Sequence, residues 1–253
     1  MSDFGAHRRD WEALGHIDPL YAILSAPEAK HGDWDIDAFL ATGERDAARV
    51  LAACDVYGLA QQRRASFELG CGVGRITRGL SPSFRRCVGV DISAAMIERA
   101  RQMNADCASC EWLVNDAPDL GLFPSGEFDL VLSFIVLQHI PDRAVISSYL
   151  REMARVLAPG GAMVVQIPAS MPLRQRVQWR RRAYRALRAV KVPDRALYER
   201  LHLDPIRMNW LPRRDVESAI RLGGAHVVAV QEGWLGDGSR TGREENLTYI
   251  ATR

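Results

Sequence analysis

From Ala65 to Pro168 the rhythm of apolar and polar positions switches repeatedly. Short apolar runs alternate with stretches whose apolar residues recur every three or four positions. Ala65–Leu69, Arg86–Asp91, Glu111–Val114 and Ala162–Pro168 predict strands, as does "FDLVLSFIVL" from Phe128. The last is apolar on both faces, as a central strand covered from both sides must be. Helices are predicted between them. One lies near Arg75–Leu80, and one follows Ser93, a capping residue, with Met96, Ile97, Ala100 and Met103 on one face. Another opens at Pro141, where Ile146, Tyr149, Leu150, Met153, Val156 and Leu157 recur at helical spacing until "APGG" stops it. Asp215–Leu222 reads as a further helix, and "HVVAVQ" and "NLTYIAT" as two closing strands. Such alternation calls for right-handed crossovers. The predicted fold class is α/β, three layers, with a seven-stranded, mostly parallel sheet and helices on both faces.

Four segments follow from this pattern. Residues 1–60 are expected to form an N-terminal helical cap, with aromatic stretches at Trp11–Tyr21 and Trp34–Phe39 and a helix near Glu44–Tyr57. Residues 61–168 are the core, and residues 211–253 complete the sheet. Between these, 169–210 is a basic helical insertion: Arg174, Arg176, Arg180, Arg181, Arg182, Arg185, Arg188, Lys191 and Arg195 stand against Asp194. It reads either as a solvated face, since long charged side chains are mostly exposed, or as a lid over a polar acceptor. Trp34, Phe39 and Trp210 are candidates for lining the pocket beneath it.

Composition changes this picture little. The chain has 253 residues, 47% hydrophobic and 25% charged, with a net charge of +2. That charge gives no global field toward nucleic acid or membrane. No apolar leader and no run of roughly 20 apolar residues is present, so the expected location is the cytoplasm. The five cysteines, Cys54, Cys71, Cys87, Cys107 and Cys110, are odd in number and scattered, as in a reduced compartment. Cys107 and Cys110 form a C-x-x-C without a second pair or a nearby histidine, so they read as incidental small residues in a loop, and no metal is expected.

The chemistry begins at "FELGCGVGRIT", Phe67–Thr77, with Gly70, Gly72 and Gly74 within five residues. Glycines after a strand let a backbone approach a ligand closely. A dinucleotide fingerprint needs G-x-G-x-x-G, but here Arg75 holds the third glycine's place and the pattern is E-x-G-x-G-x-G. Asp91 ends the next strand, where a carboxylate can accept both hydroxyls of a ribose. Asp116, in "NDAP" after the third strand, can accept from an adenine amine. These positions gather at the carboxyl ends of the strands, near the switch point of the sheet.

"ELGCGVGRIT", "VGVDIS", "VNDAPDL", "FDLVLSFIVLQHIPD" and "VLAPGG" stand in order. Together they resemble the class I S-adenosylmethionine-dependent methyltransferases of the small-molecule branch, strongly over residues 45–168. The resemblance implies a Rossmann-like core with S-adenosylmethionine as cofactor. It puts Glu68 and Gly70 by the methionine moiety, and Gly72 and Gly74 in the turn that approaches the cofactor. Asp91 takes the ribose, with Ile92 and Met96 beside the adenine. Asp116 and Ala117 hold the adenine edge, and Ser133 and Phe134 pass under the methionine portion.

For the acceptor, His139 in "VLQHIPD" stands just past the fourth strand, with an imidazole suited to general-base work. His7, His16, His31, His202 and His226 have no such placement. In some sugar O-methyltransferases of this class a histidine in the same stretch is the base, oriented by an aspartate at the end of the next strand. Here that strand ends Val165-Gln166-Ile167-Pro168, so a different acceptor, such as a backbone carbonyl, would have to orient the ring. The expected function is methyl transfer to a hydroxyl of a small molecule, with a sugar or glycosylated metabolite as one candidate. An RNA methyltransferase is disfavoured by the absence of an N/D-P-P-Y/F motif after the fourth strand and by the small net charge. A cofactor-binding scaffold without catalysis is the third reading. Neither nucleic acid nor membrane is expected as a partner, and the oligomeric state is open.

Overall fold

The computed structural model describes residues 2–24, 34–235 and 245–253. Residues 25–33 of the expected cap, His31 among them, and 236–244 of the closing segment lie outside the described residues. The seven strands are β1 (Ala65–Leu69), β2 (Arg86–Asp91), β3 (Cys110–Val114), β4 (Phe128–Ser133), β5 (Leu157–Ser170), β6 (His226–Glu232) and β7 (Glu245–Thr252). They form one sheet in the order β3-β2-β1-β4-β5-β7-β6. The first four pairings across it, from β3 to β5, are parallel, and β7 is antiparallel to both β5 and β6. The sheet is therefore mixed, with β7 alone reversed. β5 begins at Leu157, earlier than the pattern predicts: "APGG" is part of the strand, with Ala158 buried, and the helix before it already ends at Val156.

The sheet's alternation sorts the core. Phe67, Leu69, Val131 and Val165 point to the face covered by α6 (Arg143–Val156) and α10 (Arg213–Leu222). Leu130, Leu132, Ala162 and Val164 point to the other, covered by α3 (Ile36–Val56) and α4 (Arg75–Leu80). α5 (Ala94–Met103) follows β2. Side-chain caps fix three helix starts: Asp35 accepts from the Ala38 amide, Ser93 from Met96 and Asp142 from Ala144. α3 comes close to α4 because it carries Gly43, where a Cβ would sit 2.1 Å from the Arg75 carbonyl oxygen.

β1 lies between β2 and β4, so the crossovers leave it in opposite directions and open a crevice at its carboxyl end. α1 (Ser2–Ile17) and α2 (Pro19–Ile23), from the N-terminus, line that crevice, while the basic segment forms α7 (Leu173–Arg176), α8 (Trp179–Ala189) and α9 (Asp194–Glu199), with Arg188 of α8 paired to Asp10 of α1. Tyr184, Leu197 and Leu203 give the basic segment a small core of its own. Cys107 and Cys110 are joined by a disulfide rather than being incidental. The backbone between α5 and β3 turns tightly enough to bring the two thiols together, a closeness that spacing alone does not reveal.

Candidate functional site

A cavity of about 110 Å³, partly open to solvent, occupies the crevice. Its floor is built by the carboxyl ends of β1, β2 and β4. Glu68, Gly70, Gly72, Asp91, Ile92, Met96 and Phe134 all line it, as does His139.

The turn after β1 is held by the sheet itself. Gly70 and Cys71 donate their amides to the Val90 carbonyl, and Gly72 donates to Asp91 Oδ2 at 3.0 Å. Gly70 has φ +75°, and a Cβ there would lie 2.3 Å from Val136, so only glycine fits. Gly74, also left-handed at φ +86°, faces away from the cavity: its missing Cβ makes room for the Trp112 ring at 2.2 Å. Its role in the structure is packing.

Asp91 is half-buried against this turn. Its Oδ1 accepts from the Ser93 amide at 2.9 Å, and desolvation raises its pKa despite these bonds. Glu68 is buried next to it. Its Oε2 accepts from the Thr77 hydroxyl at 2.5 Å, and burial pushes its pKa up to about 7. Arg75, also in the lining, is bonded to buried Asp46, which in turn accepts from Trp234 Nε1 at 3.1 Å. The Trp234 ring stacks on Phe134 at 3.9 Å. One hydrogen-bonded and stacked unit therefore fixes both Glu68's surroundings and the Phe134 wall.

Three other expected residues sit differently. Ser133 is fully buried and donates to the Leu69 carbonyl at 3.1 Å, bracing β4 against β1. Asp116 is exposed and paired with Arg8 of α1 at 2.7 Å. The Ala117 carbonyl accepts from Tyr149 Oη at 2.5 Å. None of the three lines the cavity, whereas Asn115 and Tyr149 do. Trp34 and Phe39 pack on each other with Leu20, Val73 and Met96. Trp210 lies between the guanidinium groups of Arg143 and Arg176, at 3.8 and 4.3 Å. These three rings are core and surface packing, not pocket lining, because each meets a partner before it reaches the crevice.

The opposite wall comes from α1. Phe4, His7 and Trp11, one helical face at i, i+3, i+7, line the cavity. His7, set aside on sequence position, thus belongs to it. The Trp11 ring lies 5.4 Å from that of His139. Glu12 seats α1 by accepting from the Ser93 hydroxyl at 2.9 Å and from the Ala95 amide at the start of α5. Gly15 permits the approach, since a Cβ there would already touch Ala95 and Ser93 at 3.0 Å.

His139 is oriented by a carbonyl, not by a carboxylate. Its Nδ1 lies 2.7 Å from the Arg207 carbonyl oxygen. A carbonyl can only accept, so Nδ1 carries the proton and Nε2 keeps the lone pair. Burial lowers the imidazole pKa, keeping the ring neutral near pH 7. The strand-like return 207–211 is laced to the loop below it. Asn209 donates from its backbone amide to Gln138 at 2.6 Å and from its side chain to the Ile140 and Pro141 carbonyls, and Leu211 donates to Pro168. Ile135, two residues past β4, has φ +55° and lines the cavity. A β-branched residue there costs about 1–3 kcal/mol of strain, a pattern that clusters at functional sites.

The pocket suits a ligand that is cationic and carries a diol. Asp91 is a half-buried carboxylate on the wall, and Glu68 is a second, buried one whose ionisation a nearby positive charge would favour. Comparison with known proteins agrees. Residues 67–165 match the family model described as "Methyltransferase domain". The chain is 35% identical over 99 residues to the 2-methyl-6-phytyl-1,4-hydroquinone methyltransferase of Synechocystis sp., covering 39% of this chain and 30% of that protein. It is 34% identical over 102 residues to the chloroplastic tocopherol O-methyltransferase of Arabidopsis thaliana, covering 39% and 28%. The chain thus spans about three-tenths of the length of these two relatives. A solved S-adenosylmethionine-dependent methyltransferase from Clostridium acetobutylicum shares the fold, with a TM-score of 0.58 at 14% identity over 81% of this chain and 89% of that one. Residues 67–165 are therefore a methyltransferase domain, and the family match and the solved neighbours indicate S-adenosylmethionine as its cofactor.

Proposed function

We propose that the chain transfers a methyl group to a hydroxyl of a small, flat, largely apolar molecule, with His139 as general base. The carrying observation is the neutral, half-buried His139 on the cavity wall, its Nδ1 tied to the Arg207 carbonyl. When bound, S-adenosylmethionine supplies an electrophilic methyl on a sulfonium. The chain's residues do the rest by binding, orienting and moving a proton. Asp91 would accept from the ribose hydroxyls, Ile92 and Met96 would flank the adenine, and Glu68, Gly70, Gly72 and Phe134 would surround the methionine part. Asp116 acts through Arg8, holding α1 over the adenine end, and Tyr149 fixes Ala117 beside it. His139 would take the acceptor's proton at Nε2 as the oxygen–methyl bond forms and the methyl–sulfur bond breaks, its electron pair leaving with sulfur as a neutral thioether. Most of the acceleration comes from positioning, worth up to about 7–11 kcal/mol, and the base adds about 10²–10⁴ in rate.

The rings Phe4, His7, Trp11 and His139 follow one another at centroid distances of 6.2, 6.3 and 5.4 Å. This aromatic lining supports a phenol-like acceptor, and so do relatives named for a hydroquinone and for tocopherol. A sugar or glycosylated metabolite fits less well. Among the described residues, the only arginine of the lining is Arg75, already paired with Asp46, and no arginine of 169–210 is in it. In this reading α1 and α7–α9 are the two halves of a cover.

The test is a transfer assay with methyl-labelled cofactor against phenols, hydroquinones and hexoses. Label is expected in the aromatic hydroxyls. Transfer to a hexose, or to a ring carbon only, overturns the acceptor class. Cofactor binding without transfer to any acceptor leaves the scaffold reading in its place.

A further inference from the structure

The cover has an outer surface that the methyl-transfer chemistry does not use. Between Leu173 and Lys191 the chain carries seven arginines and one lysine and no carboxylate. Among these cations some have work inside the fold. Arg188 pairs with Asp10 and Asp194, and Arg176 lies over Trp210. Arg174, Arg182 and Lys191 are exposed and make no ion pair among the described residues, and Arg185 is exposed beside them. Interleaved with these are large apolar side chains that nothing covers: Leu173 is 77% exposed, Val177 48%, Trp179 65% and Val190 71%.

On α8 the two kinds of residue are separated by helical geometry. Tyr184 is buried, and Arg188 reaches α1, so that face looks inward. Arg181, one turn before Tyr184, lines a small cleft with His7, Asp10 and Trp11. Trp179, Arg182, Ala186 and Ala189, spaced by three, four and three, form the opposite face, and all four are exposed. α8 therefore rests one side on the helix that roofs the cavity and turns an apolar and cationic side outward.

We propose that this outer surface of α7 and α8 docks on an anionic lipid bilayer, lying in its interface. Arginines hold lipid phosphates while their stems and the neighbouring Trp179, Leu173, Val177 and Val190 sink into the acyl boundary. The net charge of +2 conceals this patch because acids elsewhere cancel it. No helix among the described residues is long and apolar enough to cross a membrane, so the contact is peripheral. Nucleic acid is the weaker match. Trp179 is the one exposed aromatic ring of the stretch, and exposed aliphatic chains gain nothing against a phosphate backbone. A second copy of the chain would set arginines against arginines across a two-fold axis.

This inference does not depend on the methyl-transfer reading, and its test does not measure catalysis. The full chain is sedimented with vesicles of phosphatidylglycerol mixed into phosphatidylcholine, and with phosphatidylcholine alone. Binding to the anionic vesicles only, weakening with salt, is expected. Arg174→Glu and Arg182→Glu should each weaken it by about fivefold or more. Leu173→Ser combined with Trp179→Ser should weaken it by about tenfold while the charge stays the same. All four side chains are exposed, so melting temperature and cofactor affinity should not move. The proposal is overturned by equal binding to both vesicle types, by no binding, by variants that bind as well as the wild type, or by a preference for a single-stranded oligonucleotide over vesicles. It is also overturned if the variants instead abolish a dimer seen by light scattering.

Discussion

The two walls of the cavity are made in different ways. The cofactor wall, from Glu68 to Phe134, comes from strand ends adjacent in one sheet, and the bonds that shape its glycine turn run over short or moderate sequence distances, although Phe134 is backed by Trp234, which bonds Asp46 across 188 positions. Gly72 meets Asp91 across 19 positions, and Ser93 meets Asp91 across two. The acceptor wall joins segments far apart in the chain. His139 meets the Arg207 carbonyl across 68 positions, Arg8 meets Asp116 across 108, and Arg188 meets Asp10 across 178. The first wall is rigid because a parallel sheet fixes its strand ends. The second is held by single polar contacts between added layers, several of them exposed, and such contacts open at lower free energy. On the proposed reading, the scaffold serves the cofactor and the additions choose the acceptor.

The strongest way to break this comparison is at His139. His139→Ala should cut kcat by about 10²–10⁴ and leave cofactor affinity near wild type, as single-turnover kinetics and calorimetric titration would report. The neutral ring is the reactive form, and burial lowers its pKa, so the acid limb of the rate profile should lie below pH 6.5 and vanish in the variant. A limb that survives the substitution assigns the proton transfer to another group.

The converse change belongs to the cofactor wall. Asp91→Ala should weaken S-adenosylmethionine binding by about 10–100-fold, since the ribose hydroxyls and the Gly72 and Ser93 amides lose a half-buried acceptor. Unchanged affinity by titration calorimetry would remove Asp91 from the binding site.

Glu68 sharpens the contrast through pH. Its folded pKa, about 7, is above the ordinary value of 4.5, so the folded state holds its proton more tightly than the unfolded one. Its contribution is present below pH 4.5 and is lost as pH rises toward 7. Glu68→Gln, which keeps an acceptor for Thr77 but cannot ionise, should flatten that part of the profile. The check is urea unfolding of the ligand-free protein from pH 4.5 to 8, read as the difference between wild type and variant so that Asp91 and the acids of lowered pKa cancel. Parallel profiles would mean that Glu68 stays ionised throughout.

The smallest effect is expected at the cover. Arg8 and Asp116 are both more than half exposed, so Arg8→Ala should cost less than about 1 kcal/mol of global stability. It should nevertheless speed amide exchange along α1 more than in β1 or β4. Uniform exchange across all three would show that α1 is as firmly built in as the sheet.

Much of this was legible in the residues. The alternation of periods from Ala65 to Pro168 specifies strand and helix order, and parallel crossovers leave few topologies to choose from. The glycine spacing and Asp91 mark the cofactor wall because they answer local demands: a left-handed turn, and an acceptor at a strand end. The partners of Arg75, Asp116, Trp210, Cys107 and Cys110 were not legible, since what each touches depends on folding and not on its neighbours in sequence. Phe4, His7 and Trp11 carry a helical period that any amphipathic helix shares, and nothing in that period says which surface it covers. His139 shows the division most directly. Its place after β4 follows from sequence order, whereas its tautomer and depressed pKa come from a carbonyl and a burial that exist only once α1 and residues 207–211 close around it. Periodicity is a property of neighbours along the chain, so the sequence by itself determined the scaffold and its cofactor wall. Desolvation and long-range hydrogen bonds are properties of the packed whole, so only the tertiary structure decided the acceptor wall.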